Sequence, residues 1–165
     1  MKLVCLDTHI LIWGIKNESS PGQEEMIPKA KRFIKWLDDN KYRVIVPSVV
    51  VGELLMRVPL ELHRDVNKLL EKHFIIAPFD SLAASHFAKI WQMKESEEVI
   101  NQLKEQFDLK REAIKVDCQI VAIAVARGAQ CIYSYDPGVK KFGEKVIDVY
   151  EIPSIEEQLN FFNTE

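Results

Sequence analysis

Residues 2–13 read KLVCLDTHILIW. The run KLVCL has the length and the Val/Leu content of a short buried strand, and it stops at Asp7. A second apolar run follows at once, with helical rather than alternating spacing. Asp7 therefore has two readings. A short oxygen side chain here caps the helix that HILIWGI begins, because it accepts orphan backbone N–H groups. Asp7 also stands at the carboxyl end of a strand, where open α/β sheets place their ligands. The choice depends on what else arrives at that edge.

The rest of the chain repeats the alternation. YRVIVP (42–47), FIIAPF (74–79), QCIYS (130–134) and part of KVIDVYEI (145–152) read as further strands. Helical patterns separate them. The first runs to about Ile15, and the polar connector KNESSPGQEE (16–25) follows it. Pro28 suits the first turn of the next helix, with Phe33, Trp36 and Leu37 on one face. Ser48 is read as the cap of VVVGELLMRV (49–58), which Pro59 ends. LELHRDVNKLLEKH (60–73) precedes the third strand, and Asp80 is the expected cap of SLAASHFAKIWQM (81–93), whose Phe87 and Trp91 are read as core.

KESEEVINQLKEQFDLKRE (94–112) holds six acids and four bases around a narrow stripe of Ile100, Leu103 and Phe107. Its expected start is Ser96, and it reads as a helical arm, either solvated or holding a partner. KVDCQIVAIAVARG (115–128) is apolar on nearly every side and ends at Gly128, as a deeply buried helix does. SIEEQLNFF (154–162) opens with a capping box, Ser154 to Glu157, and reads as a closing amphipathic helix. With no repeat and no second unit, the expectation over 1–165 is one α/β domain: five short parallel strands, with helices on both faces.

Composition narrows the function. The 165 residues carry 25 acids and 22 bases, a net charge of −3, so any nucleic-acid contact must be local rather than a matter of bulk charge. Cys5, Cys118 and Cys131 are widely spaced with no C-x-x-C pair, which points to reduced thiols in a cytoplasmic protein and away from a zinc module. No apolar run approaches the ~18 residues that span a bilayer, and no secretory signal pattern opens the chain.

Four acids belong at one edge of such a sheet. Asp7, Glu53 and Asp136 follow strands one, two and four, and Asp117 joins them because its helix must run antiparallel to the strand that follows. Each has a blander explanation. Asp136 in DPG is a turn former, Glu53 can pair with Arg57 at i+4, and Asp117 near a helix start complements the helix dipole. None of these explains the convergence. Clustered carboxylates repel one another and are most simply held by a hard divalent cation, Mg²⁺ or Mn²⁺. Such an ion activates water and neutralises a phosphodiester. The four acids are accordingly both the candidate metal ligands and the candidate catalytic groups. Thr8, Ser134 and Lys140 are candidates for water or substrate contacts, with Lys141, Lys145, Lys110, Arg111 and Lys115 as further phosphate-binding bases.

These segments resemble, in order, the motifs of PIN-domain proteins, in particular ribonuclease toxins of the VapC type. The likeness lies in LVCLDTHILIW (3–13), the acid of VVVGELL, the DCQIVAIAVARG helix, and a strand ending Ser134-x-Asp136. The resemblance implies an α/β/α sandwich with a five-stranded parallel sheet and Mg²⁺- or Mn²⁺-dependent endonucleolytic cleavage of RNA. It also implies a cognate antitoxin and a homodimer. Some relatives carry a further acid just after the position of Asp136, where this chain has Pro137, Gly138, Val139 and Lys140. The alternatives are a non-catalytic PIN-like binding module that uses the 94–112 arm, and a housekeeping RNA-processing nuclease. His9 stands where a haloacid-dehalogenase-type phosphatase needs its second acid, and no Gly-rich phosphate loop is present.

Overall fold

Val4, Cys5 and Leu6 are buried on both faces of strand β1 (Leu3–Leu6), the mark of a central strand in a parallel sheet. In the computed structural model, which describes residues 2–154, β1 pairs with β2 (Arg43–Pro47) on one side and β4 (Cys131–Tyr133) on the other. Val4 stands opposite Val44 and Cys131 in the two ladders. Strand β3 (Ile75–Ala77) lies outside β2, and β5 (Asp148–Tyr150) lies outside β4. The order is β3-β2-β1-β4-β5, and every pair is parallel. The chain leaves β1 toward β2 and reaches β4 on the other flank much later. The gap between the carboxyl ends of β1 and β4 is therefore the sheet's switch point, where connections leave in opposite directions and open α/β sheets place their ligands.

Helices cover both faces. They are α1 (Thr8–Leu11, continued by a π-helical segment Ile12–Lys16), α2 (Met26–Asp39), α3 (Ser48–Leu55) and α4 (His63–His73). Then come α5 (Ser81–Trp91), α6 (Lys94–Phe107), α7 (Arg111–Ala126) and α8 (Pro137–Gly143). The core joins Leu6, Ile10, Phe33, Leu37, Ile45 and Leu54 to Ile114, Ile120 and Ile123 of α7. A run of rings, Phe79 to Phe87 to Trp91 to Phe142 at centroid spacings of 5.9, 5.8 and 6.1 Å, ties α5 to α8. Phe87 and Trp91 thus pack against the core, as expected. The three cysteines are free and buried. Among the described residues no helix is long and apolar enough to cross a membrane.

The five strands fall within the expected segments. Asp80 caps α5, its Oδ1 accepting the Ala83 N–H at 3.0 Å, and Gly128, at φ 70°, closes α7. Two expected caps are wrong. Ser48 is the first residue of α3 rather than its cap, and its Oγ accepts the Phe79 N–H at 3.2 Å, which joins the start of α3 to the loop after β3. Helix α6 starts at Lys94, and the buried Ser96 hydroxyl donates to the Ile90 carbonyl at 2.6 Å. The closing helix expected at 154–162 lies outside the described residues beyond Ser154.

The apolar stripe of α6 divides. Leu103 is 0% exposed and Phe107 is 45% exposed. Leu103→Ala is expected to cost roughly 2–5 kcal/mol, as deletion of a fully buried Leu side chain does. Phe107→Ala should stay within about 0.5 kcal/mol, like other surface changes. Urea melts of the two variants check the split.

Candidate active site

Asp7 prolongs β1 by one backbone bond, its N–H donating to the Tyr133 carbonyl at 3.2 Å, and then turns the chain into α1. The residue is 3% exposed. Oδ1 accepts the Thr8 N–H at 2.6 Å and Oδ2 accepts the Ser134 hydroxyl at 2.5 Å. The capping reading thus holds, while the carboxylate also stands at the switch point. Burial pushes its pKa up to about 6. The bonds from Ser134 and Thr8 pull it down and the charge of Asp136 pushes it up.

Ser134, fully buried, is a strut. While its hydroxyl donates to Asp7, its Oγ accepts the Asp136 N–H at 3.0 Å, so one side chain locks the ends of β1 and β4 together. Ser134→Ala leaves a buried carboxylate oxygen and an amide unpaired. It should lower stability by about 1–3 kcal/mol, measurable by denaturant melts. Thr8, also buried, donates from Oγ1 to Glu53 Oε2 at 2.5 Å. Glu53 is half-buried on α3 and, among the described residues, makes no ion pair with Arg57. Asp136 caps α8, its Oδ1 accepting the Gly138 N–H at 2.9 Å.

Asp117 reports the crowding. It lies almost two turns into α7, beyond the reach of a helix-dipole explanation, and is 8% exposed. Burial first, then the charges of Asp136, Asp7 and Glu53 and a hydrogen bond shared with Asp136, push its pKa up to about 9. At neutral pH it is a carboxylic acid. All three of the other predicted acids are near enough to penalise its ionisation, so the structure does bring together the four that the sequence singled out.

The donor chemistry fits a hard divalent cation. Every group is an oxygen donor, and burial, with the charges of neighbouring acids, raises the pKa of both Asp7 and Asp117. Among the described residues no three His, Cys, Asp or Glu side chains form a ready-made cation cage. The Thr8 hydroxyl donates to Glu53 and the Ser134 hydroxyl to Asp7, and Asp117 shares a hydrogen bond with Asp136. A cation held here would have to displace the proton that the raised pKa favours on Asp117.

The surroundings are aromatic and partly basic. His9 is exposed, with its ring 5.8 Å from Trp13, which meets Tyr135 edge-on at 5.2 Å. Lys140 Nζ lies 2.5 Å from Glu151 Oε1 and 5.9 Å over the Tyr135 ring, and Lys141 donates to Gln102 at 3.0 Å. Sequence reasoning missed that Thr8 and Ser134 spend their hydroxyl protons on the acids. The Ser-x-Asp spacing is the one local sign of it.

A family model described as PIN domain matches residues 4–145. Among solved structures, the chain is similar to a chain of VapBC2 from Rickettsia felis, determined bound to a DNA fragment from their promoter. The identity is 12% and the TM-score 0.60, over 92% of this chain and 99% of that one, a likeness of fold. No curated protein matches the chain.

Proposed function

The chain belongs to the PIN domain family, and on that premise we propose that it is a metal-dependent endoribonuclease. In this reading Asp7, Glu53, Asp117 and Asp136 hold Mg²⁺ or Mn²⁺. One observation carries the reading. Carboxyl groups from the end of β1, from α3, from α7 and from the β4–α8 junction meet at one edge of the sheet, where burial and the charges of the other three raise the pKa of Asp117. A bound divalent cation would neutralise phosphodiester charge and acidify a water molecule. The chain's own residues do the positioning. Ser134 and Thr8 fix Asp7 from both sides, and Asp136 is held by the backbone of its own cap. Thr8 orients Glu53, which like Asp136 is only half-buried and so open to a substrate.

The net charge of −3 makes RNA contact a matter of local bases near the site, of which Lys140 must first release Glu151. Likeness to a chain of VapBC2 supports a protein paired with a cognate antitoxin; in this reading it is a toxin that works in the cytoplasm as a homodimer.

The test is a cleavage assay on a structured RNA and on DNA of the same sequence, with chelator, Mg²⁺ or Mn²⁺. Internal RNA fragments are expected only with the ion, and none from an Asp7→Asn variant. No cleavage under any condition, with no ion-dependent change in melting temperature, would instead leave a non-catalytic binding module.

A further inference from the structure

We propose that Gly138 is a positioning residue for this site: the side chain it lacks is the space in which the Asp117 carboxyl stands. Gly138 is buried in the first turn of α8. A methyl group built on it would overlap Asp117 Oδ2 and lie 2.7 Å from Cγ and 2.9 Å from Cβ. Turning the carboxyl away does not remove the conflict, because Cβ is fixed to the backbone of α7. Any other residue must therefore push α7 from α8 or drive Asp117 out of the cluster. The same glycine gives its N–H to Asp136 at 2.9 Å, so it serves two neighbouring acids, one with backbone and one with room.

Glycine is not there for its backbone freedom. The described glycines at positive φ are Gly22 and Gly128, and within a helix glycine is a weak choice, by about 0.5–1 kcal/mol against Ala. Close approach is the remaining reason. Helix α8 also contains an internal comparison. A methyl on Gly143 would overlap Val149 Cγ2, an apolar contact on β5. Both changes overfill a tight contact, but only one of them faces the acids.

The inference rests on the proposed metal-dependent reading for its consequence, though not for its geometry. Four variants separate the two: Gly138→Ala, Asp117→Ala, their combination, and Gly143→Ala. With chelator, Gly138→Ala should lower the melting temperature, and in the Asp117→Ala background the same change should cost less than about half as much, since coupling of this kind is confined to groups in contact. If Gly138→Ala alone does not fold, the combination should. An equal cost, or an equal failure to fold, in both backgrounds would overturn the proposal. With Mn²⁺, the rise in melting temperature and the RNA cleavage rate should drop severalfold for Gly138→Ala. Both should remain near wild type for Gly143→Ala, assayed where it is folded. An undiminished Mn²⁺ response in Gly138→Ala would also overturn the proposal. A wild-type protein with neither Mn²⁺ response nor cleavage would refute the nuclease reading, and the chelator cycle would still decide where Asp117 sits.

Discussion

Asp117→Asn is expected to abolish ion-dependent cleavage and yet raise the melting temperature of the metal-free protein at pH 8. The amide keeps the shape and hydrogen bonds of the protonated acid but can neither ionise nor ligate as a carboxylate. In the wild type, Asp117 has a folded-state pKa near 9, against about 3.9 in an unfolded chain. Between those values the folded state retains a proton that the unfolded state has released. Its contribution to stability is full below about pH 4 and is lost as pH rises toward 9. The amide has no such loss. A gain of about 5 °C over wild type at pH 8 is on the scale of 1–2 kcal/mol for a domain of this size, and it should shrink toward pH 5. Melting curves with chelator at both pH values, beside a cleavage assay, check the two halves. Were Asp117 only a structural helix residue, cleavage would survive and stability would move by a few tenths of a kcal/mol.

The second large effect belongs to the wild type. Asp7, raised to about 6, and Asp117, raised to about 9, both lose stabilisation in the same direction, the former over a narrower window. Metal-free melting temperature should therefore fall steadily from pH 5 to pH 8. Mg²⁺ must displace the same protons, so its apparent affinity should rise about tenfold per pH unit over pH 6–8, as one expelled proton requires. The gap between chelator and Mg²⁺ melting curves should then widen with pH. A gap of constant width would mean that no proton is displaced.

Why some features were legible in the sequence follows from how far apart the interacting groups lie along it. The strands, the Asp80 cap and the Gly128 stop arise from neighbours, and neighbours are visible in a linear chain. The four acids were legible because a strand's end fixes where the next residue stands, and because the antiparallel return of α7 brings Asp117 to the same edge. Ser48 and Ser96 misled because tertiary partners, the Phe79 amide and the Ile90 carbonyl, outcompete the local cap. The roles of Thr8 and Ser134 depend on rotamers that only the packed strands select. Lys140 reads as a free base until Glu151 is seen beside it. Gly138 reads as a turn residue because the carboxyl it accommodates arrives on another helix.

In the proposed nuclease the crowded carboxylates form an ion site closed by a proton on Asp117. Proton release on Mn²⁺ binding tests it most directly, by calorimetric titration at pH 7 in two buffers of different ionisation enthalpy. With Asp117 at about 9 and Asp7 at about 6, binding should release about one proton per protein, and the Asp117→Asn variant should release close to none if it binds at all. Saturable binding with no proton released, or a release unchanged by Asp117→Asn, would contradict it.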